Sequence, residues 1–214
     1  MFKGLFSDKW KKIPFDEIKK RSKVLVIDDN EFKYLELFKN DGYTIEKWND
    51  IDDLSKLETG YYDIIFLDIQ GVGKAISSEQ GLGVLKHIKK ENPAQIVIVY
   101  SDADYSLKFQ DSFKKANDTI QKGSDYVEYK EKMDEYLKLR FSKKFYIDQA
   151  TILLMNSGVN SISEEKLRKI VEKSIDKNNS EYLSGKIKNF MPNEKQLGLA
   201  LQVVRTGIAI AAAL

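Results

Sequence analysis

Short apolar runs alternate with amphipathic stretches over the first part of the chain. The runs are rich in β-branched and aromatic residues, as buried strands are. They predict strands at Val24–Ile27, Thr44–Trp48, Ile64–Leu67, Ile96–Tyr100 and Thr119–Gln121. Apolar residues spaced by three and four predict helices at Glu31–Asn40, Ile51–Leu57, Glu79–Glu91 and Tyr105–Lys115. Alternating strands and helices predict an α/β fold with a parallel, doubly wound sheet.

From Gly123 on, helical patterns replace this alternation. Ser124–Ser157 contains no Gly or Pro and predicts one long helix or two nearly collinear ones. Ser161, with Glu164 three residues later, predicts a capping box that opens a helix ending near Asn178.

The end of the chain is strongly apolar. A short helix is predicted from about Glu181 to Asn189, and a last helix opens at Pro192 and Asn193. Leu197–Leu214 is apolar on almost all sides, but it is shorter than the roughly 20 residues of a membrane span and Arg205 interrupts it. We therefore expect a buried helix or a subunit contact, and membrane contact is not favoured.

These patterns divide the chain into three parts. Residues 1–22 form a basic amphipathic leader that lacks the features of a signal peptide. We expect a short helix that covers part of the next domain, with an interfacial anchor or a partner-docking arm as alternatives. Residues 23–138 form the α/β domain, and residues 139–214 form an all-helical extension.

Composition narrows the possible functions. The 214 residues include 35 basic and 33 acidic side chains, no cysteine and a single histidine. A disulfide framework, a thiolate nucleophile and a multi-histidine metal site are therefore excluded, and a cytoplasmic protein is expected. The one histidine, His87, is expected to be solvated. A net charge of +2 does not favour nucleic-acid binding over the whole surface.

Polar residues follow four of the predicted strands. Asp28 and Asp29 come after the first strand, Asp68 after the third, Ser101 after the fourth and Lys122 after the fifth. The carboxyl ends of parallel strands meet at one edge, so we expect these side chains to converge. Three carboxylates repel one another unless a cation neutralises them, and an all-oxygen cluster suits Mg²⁺. The hydroxyl and the ammonium group suit the oxygens of a phosphoryl group.

Four segments in this order resemble the receiver domain of two-component response regulators. They are VLVIDD (24–29), IIFLD (64–68), IVIVYS (96–101) and NDTIQK (117–122). The resemblance covers about residues 23–138 and implies a five-stranded flavodoxin-like sheet. It also implies that Asp68 accepts a phosphoryl group from a phosphohistidine on a sensor histidine kinase or a phosphotransfer protein.

The same resemblance implies the ligands of the metal. Asp29 and Asp68 would coordinate Mg²⁺ directly, together with the backbone carbonyl of Gln70. Asp28 would contribute through a water molecule. Mg²⁺ is the only cofactor that the resemblance implies.

Further residues are implied to respond to phosphorylation. Ser101 would hydrogen-bond a phosphoryl oxygen, and Lys122 would pair first with the Asp68 carboxylate and then with the phosphate. Ser101 and Thr119 occupy the switch positions. Thr119 and Gly123 depart from the family pattern, which has an aromatic residue and a proline there, so the usual aromatic switch is not expected.

The segment between Asp68 and Gly81 is about four residues longer than its usual counterpart and lacks the usual proline. We expect this loop either to cover the site or to contact a specific partner. Its Gly71–Lys74 stretch is not a phosphate-binding loop, because Asp68 takes the place of the first glycine and Ala75 replaces the required hydroxyl residue.

Two functional hypotheses follow. In the first, the chain is a phosphorylation-dependent signalling protein, not an enzyme, and residues 139–214 are an output or dimerisation region that forms a homo-oligomer through its helices. In the second, it is a phosphorylation-independent scaffold or adaptor acting through protein contacts. A DNA-binding output is not favoured, because residues 145–214 carry nine basic against seven acidic side chains and the last helix is apolar.

Overall fold

The structure is a computed structural model that describes residues 13–102, 113–157, 159, 161–190 and 194–213. The chain divides into two compact units: one is Pro14–Arg140, and the other contains the residues from Phe141 on. Some predictions lie outside the described residues: those for residues 1–12 of the leader, for most of the helix at Tyr105–Lys115 and for the helix start at Pro192 and Asn193.

Five parallel strands form one sheet in the unit Pro14–Arg140. They are β1 (Val24–Ile27), β2 (Ile45–Trp48), β3 (Ile64–Asp68), β4 (Ile96–Ser101) and β5 (Asp118–Gln121). Their order is β2-β1-β3-β4-β5, and every neighbouring pair is parallel. All side chains of the three inner strands are buried, which explains their continuous apolar sequences. The predicted flavodoxin-like sheet is confirmed.

Helices cover the sheet in this unit. They are α1 (Phe15–Arg21), α2 (Leu35–Asn40), α3 (Leu54–Glu58), α4 (Gly81–Glu91) and α5 (Tyr126–Arg140). Alternate strand residues such as Ile65 and Val97 share one buried cluster with Leu85 of α4. The strand residues between them, such as Phe66, face the other side of the sheet, where the rings of Phe66 and Tyr129 lie 6.0 Å apart. The sheet is thus covered on both faces, and a site on it is expected at the ends of the strands.

Several details of this unit differ from the sequence predictions. Helix α3 begins at Leu54 instead of Ile51, because Asp53 is its N-cap and accepts the Lys56 N–H. Helix α2 begins at Leu35 instead of Glu31. The reason is that the Asn30 N–H donates to Asp28 Oδ1 at 2.9 Å, which keeps the chain after β1 in a turn. His87 is not simply solvated, because its Nε2 lies 2.6 Å from Glu58 Oε1 and so links α4 to α3.

The second unit is helical. It contains α6 (Lys143–Asn156), α7 (Glu164–Asp176), α8 (Ser180–Ile187), a 3₁₀ turn (Lys188–Phe190) and α9 (Glu194–Ala213). The residues predicted as one or two helices, Ser124–Ser157, form two helices that are interrupted at Phe141 and Ser142. Ser142 begins α6 as its N-cap, because its hydroxyl accepts the Phe145 N–H.

The predicted capping box at Ser161 is wrong. The N-cap of α7 is Ser163, whose hydroxyl accepts the Lys166 N–H. Ser163 has the extended backbone that an N-cap requires, whereas Ser161 precedes Ile162, a residue buried in the structure. In α9, Gly207 lies against the ring of Tyr146 in α6. Of the helices that the described residues form, none combines the length and the apolarity needed to cross a membrane.

Candidate functional site

Three carboxylates meet at the ends of the neighbouring inner strands β1 and β3. Asp28 and Asp29 directly follow β1, and Asp68 is the last residue of its neighbour β3. The connections from these two strands run to opposite sides of the sheet, and this arrangement opens a crevice at the strand ends. One carboxylate oxygen from each residue lies within 4.8 Å of the others. The sheet topology therefore concentrates negative charge at one point.

Lys122 supplies the positive charge at this point. Its Nζ lies 2.6 Å from Asp68 Oδ2 and 3.6 Å from Asp28 Oδ1. The other oxygen of Asp68 accepts the backbone N–H of Gln70 at 3.0 Å. Asp68 is 0% exposed. Both oxygens of a fully buried carboxylate are thus held by a donor, and one donor is a cation.

Burial and charge act against each other at this pair. Burial raises the pKa of Asp68 to about 6 and the Asp28 charge adds to this, while the hydrogen bonds from Lys122 and Gln70 oppose it. Burial would by itself lower the pKa of Lys122, but the hydrogen bond to Asp68 holds that pKa above its ordinary value. At neutral pH the pair is ionised, and Asp68 is a carboxylate with an unfavourable environment for its charge.

Asn30 orients the two carboxylates that follow β1. Its backbone N–H donates to Asp28 Oδ1, and its side-chain Nδ2 donates to Asp29 Oδ1 at 2.8 Å. Asp28 is buried, whereas Asp29 is exposed. Sequence reasoning missed Asn30, although an Asn directly after two Asp residues is a signal for such a local turn.

Ser101 lies at the same edge, whereas Thr119 has a different environment. Ser101 is buried at the end of β4, and its backbone oxygen accepts the Lys122 N–H at 3.1 Å. Its hydroxyl donates weakly to the Asp102 backbone oxygen at 3.4 Å. Thr119 is exposed on β5, and its backbone N–H donates to Asp118 Oδ1, which lies outside the carboxylate cluster.

An open cavity of about 300 Å³ adjoins the carboxylates. Asp28 and Lys122 line it together with aromatic residues, among them Tyr34, Tyr100 and Tyr129. The Lys122 Nζ lies 5.4 Å from the centre of the Tyr100 ring. Sequence reasoning missed these aromatic side chains as parts of the site, because at strand and helix positions they read as core residues.

The donor set suits a hard divalent cation. Asp28, Asp29 and Asp68 offer carboxylate oxygens only, and Mg²⁺ binds through one or two carboxylates while keeping several water molecules. The exposed side of Asp29 leaves room for such water. The residues present therefore fit Mg²⁺.

Comparison with solved structures gives matches to one kind of domain. The receiver domain of NtrX from Brucella abortus is 24% identical, with 54% of this chain and 98% of that chain covered and a TM-score of 0.46. A response regulator from Thermotoga maritima, solved in complex with Mg(2+)-BeF, is 26% identical, with 54% and 98% covered and a TM-score of 0.44.

Longer proteins also match. An NtrX structure from Brucella abortus in complex with ATP is 23% identical and has a TM-score of 0.48; the match covers 72% of this chain but only 34% of that one. No family model and no curated protein matches the chain. The solved structures that this chain resembles are receiver domains of response regulators, which cover about 55% of it, and the C-terminal region has no named match.

Proposed function

We propose that this chain is a cytoplasmic signalling protein of the receiver type, which takes a phosphoryl group on Asp68 in an Mg²⁺-dependent reaction. The donor would be a sensor histidine kinase or a phosphotransfer protein. The observation that carries the proposal is the contact of Lys122 Nζ with Asp68 Oδ2 inside the three-carboxylate cluster. In this proposal the chain modifies itself and is not an enzyme acting on a separate substrate.

The chemistry is a nucleophilic displacement at phosphorus. A carboxylate oxygen of Asp68 forms a bond to the phosphorus, while the bond from phosphorus to the donor's leaving group breaks and that group departs with the electron pair. Asp28, Asp29 and Asp68 would hold Mg²⁺, which when bound offsets negative charge on the phosphoryl oxygens. In this proposal the donor group approaches through the cavity that Asp28 and Lys122 line.

Lys122 and Ser101 stabilise the product in this proposal. The Lys122 ammonium is already in contact with Asp68 and can transfer its hydrogen bond to a phosphoryl oxygen. Ser101 lies next to Lys122 through the hydrogen bond between their backbones. A new anion at Asp68 would therefore pull on the ends of both β4 and β5, which is how a local charge becomes a conformational signal. The C-terminal helices are the proposed responding region.

Phosphorylation by acetyl phosphate tests the proposal. We expect the full chain, incubated with acetyl phosphate and Mg²⁺, to gain one phosphoryl group in its intact mass, and Asp68→Asn to gain none. Asp16→Asn is the matched control, because it removes an exposed carboxylate on α1. The oligomeric state measured on the same samples tests whether the helical region responds.

Beryllofluoride separates the two functional hypotheses. A competent site should bind it in the presence of Mg²⁺ and should lose that binding in Asp68→Asn. If the folded wild type neither binds beryllofluoride nor gains mass from acetyl phosphate or from a phosphorylated kinase, phosphotransfer is refuted and the scaffold hypothesis takes its place.

A further inference from the structure

The loop between β3 and α4, residues 69–80, lies directly against the Asp29 carboxylate. Gly71 in this loop has a φ of +84°. A Cβ atom at this position would lie 2.1 Å from Asp29 Oδ2 and 2.4 Å from Asp29 Cγ. The carboxylate of Asp29 therefore occupies the space that a side chain at position 71 would need. Glycine is required here both for the backbone conformation and for this close approach.

The loop is held in place on both sides of Gly71. The Gly71 N–H donates to the side chain of Gln80 at 2.9 Å, and the Gly73 N–H donates to Asp50 Oδ1 at 2.5 Å. Val72 between them is 0% exposed and belongs to the apolar core. The backbone at Gly71 is therefore a fixed surface against which the Asp29 carboxylate rests.

Gln80 makes its contact from a strained backbone. It is the N-cap residue of α4, with φ 55° and ψ −136°, a region that non-glycine residues rarely occupy. A glycine would relieve the strain, but it would have no side chain to accept the Gly71 N–H. Strain in a residue whose side chain holds the loop next to a cluster of carboxylates points to a role in the site.

We propose that Gly71 and Gln80 are positioning residues that set the affinity of the site for Mg²⁺ by fixing the Asp29 carboxylate. This inference rests on the proposed function. Asp29 is exposed, so without support its side chain would sample several rotamers and would lose that freedom on binding a cation. The Asn30 side chain holds one oxygen from one side, and the Gly71 backbone limits the carboxylate from the other.

Metal affinity in three glycine-related variants tests this inference. Mn²⁺ binding to the full chain is measured by electron paramagnetic resonance, with Mg²⁺ as the competitor. We expect Gly71→Ala to weaken Mg²⁺ binding by about 10- to 100-fold, as expected for loss of a group that orients a ligand. Gly42→Ala is the matched control, because its φ of +86° imposes the same backbone strain while a Cβ there meets nothing within 4 Å.

Gln80→Gly separates positioning from stability. Because it relieves backbone strain, we expect its urea midpoint in EDTA to equal or exceed that of the wild type. Because it releases Gly71, we expect its Mg²⁺ affinity to fall by about tenfold. A merely structural role for Gln80 would change the urea midpoint and leave the metal affinity unaltered.

The outcomes distinguish this inference from the proposed function. If the wild type binds neither Mn²⁺ nor Mg²⁺, the proposed function itself fails. If the wild type binds and Gln80→Gly binds as tightly as Gly42→Ala, the positioning role is overturned while the proposed function stands. Gln80→Gly also decides the matter if Gly71→Ala does not fold.

Discussion

Replacing the buried carboxylate at the centre of the site should stabilise the protein. We expect Asp68→Asn to have a higher free energy of unfolding than the wild type at pH 7.5 without divalent cations. The reason is that Asp68 is 0% exposed and burial raises its pKa to about 6, even though Lys122 donates to it at 2.6 Å. Asparagine resembles the protonated carboxyl group and has no charge to bury.

The size of the effect follows from proton linkage. The unfolded chain releases the Asp68 proton near pH 3.8 and the folded protein near pH 6, so the folded state binds more protons between these values. The free energy of unfolding therefore decreases as the pH rises through this window. At pH 7.5 the ionised Asp68 lowers the free energy of unfolding by about 3 kcal/mol, because each unit of difference between the two pKa values corresponds to about 1.36 kcal/mol. At pH 5.0 the same relation leaves about half of this cost.

Urea denaturation in EDTA at pH 7.5 and pH 5.0 measures this difference. The fluorescence of Trp48 on β2 reports on the unit that contains the sheet, provided that Trp10, the second tryptophan, is replaced by Phe in every protein compared. Titrating groups far from Asp68 are common to the wild type and Asp68→Asn, so their effects cancel in the comparison. Asp16→Asn serves as the exposed control, with an expected change within about 0.5 kcal/mol.

The pH dependence decides the result. The gain from Asp68→Asn should be about twice as large at pH 7.5 as at pH 5.0. A gain of equal size at both pH values, or no gain at pH 7.5, would refute the reasoning. Either result would mean that the contact with Lys122 offsets the cost of burying the Asp68 charge.

Two further predictions concern packing away from the site. Gly207→Ala should lower the melting temperature, because its Cβ would lie 2.7 Å from the Tyr146 ring. Gly198→Ala is the control in the same helix: its Cβ would have no neighbour within 4 Å, and the protein should become more stable by about 0.5–1 kcal/mol. Shifts of the same sign in thermal denaturation would contradict this. Arg140→Met should destabilise by about 3–5 kcal/mol in urea, because it leaves the Asp63 carboxylate without the guanidinium 3.2 Å away. The double variant Arg140→Met/Asp63→Asn keeps an acceptor for the Lys23 N–H and should recover most of the loss, and failure to recover would contradict a charge-based cause.

The fold could be predicted where local pattern and burial agree. β1 has the predicted limits, and β3 and β4 extend one residue beyond them, because an inner strand covered on both faces must be apolar at every position. Agreement was poorer at helix starts. Either Ser161 or Ser163 could have capped α7, and the choice depends on the burial of Ile162 between them, which a local pattern does not contain.

The candidate site shows the same division. The sequence alone determined which groups gather at the sheet edge, because each follows a recognisable strand and parallel strands end together: Asp28 and Asp68 lie there with Lys122 between them. Only the tertiary structure decided how Asp29 is held. Gly71, which lies against its carboxylate, is 42 positions away along the chain. The hydrogen bond from Gly71 to Gln80 joins two ends of a loop whose sequence has no periodic pattern. Periodic patterns encode elements because burial repeats with the geometry of a helix or a strand, whereas a loop has no repeat and its position depends on contacts between distant residues.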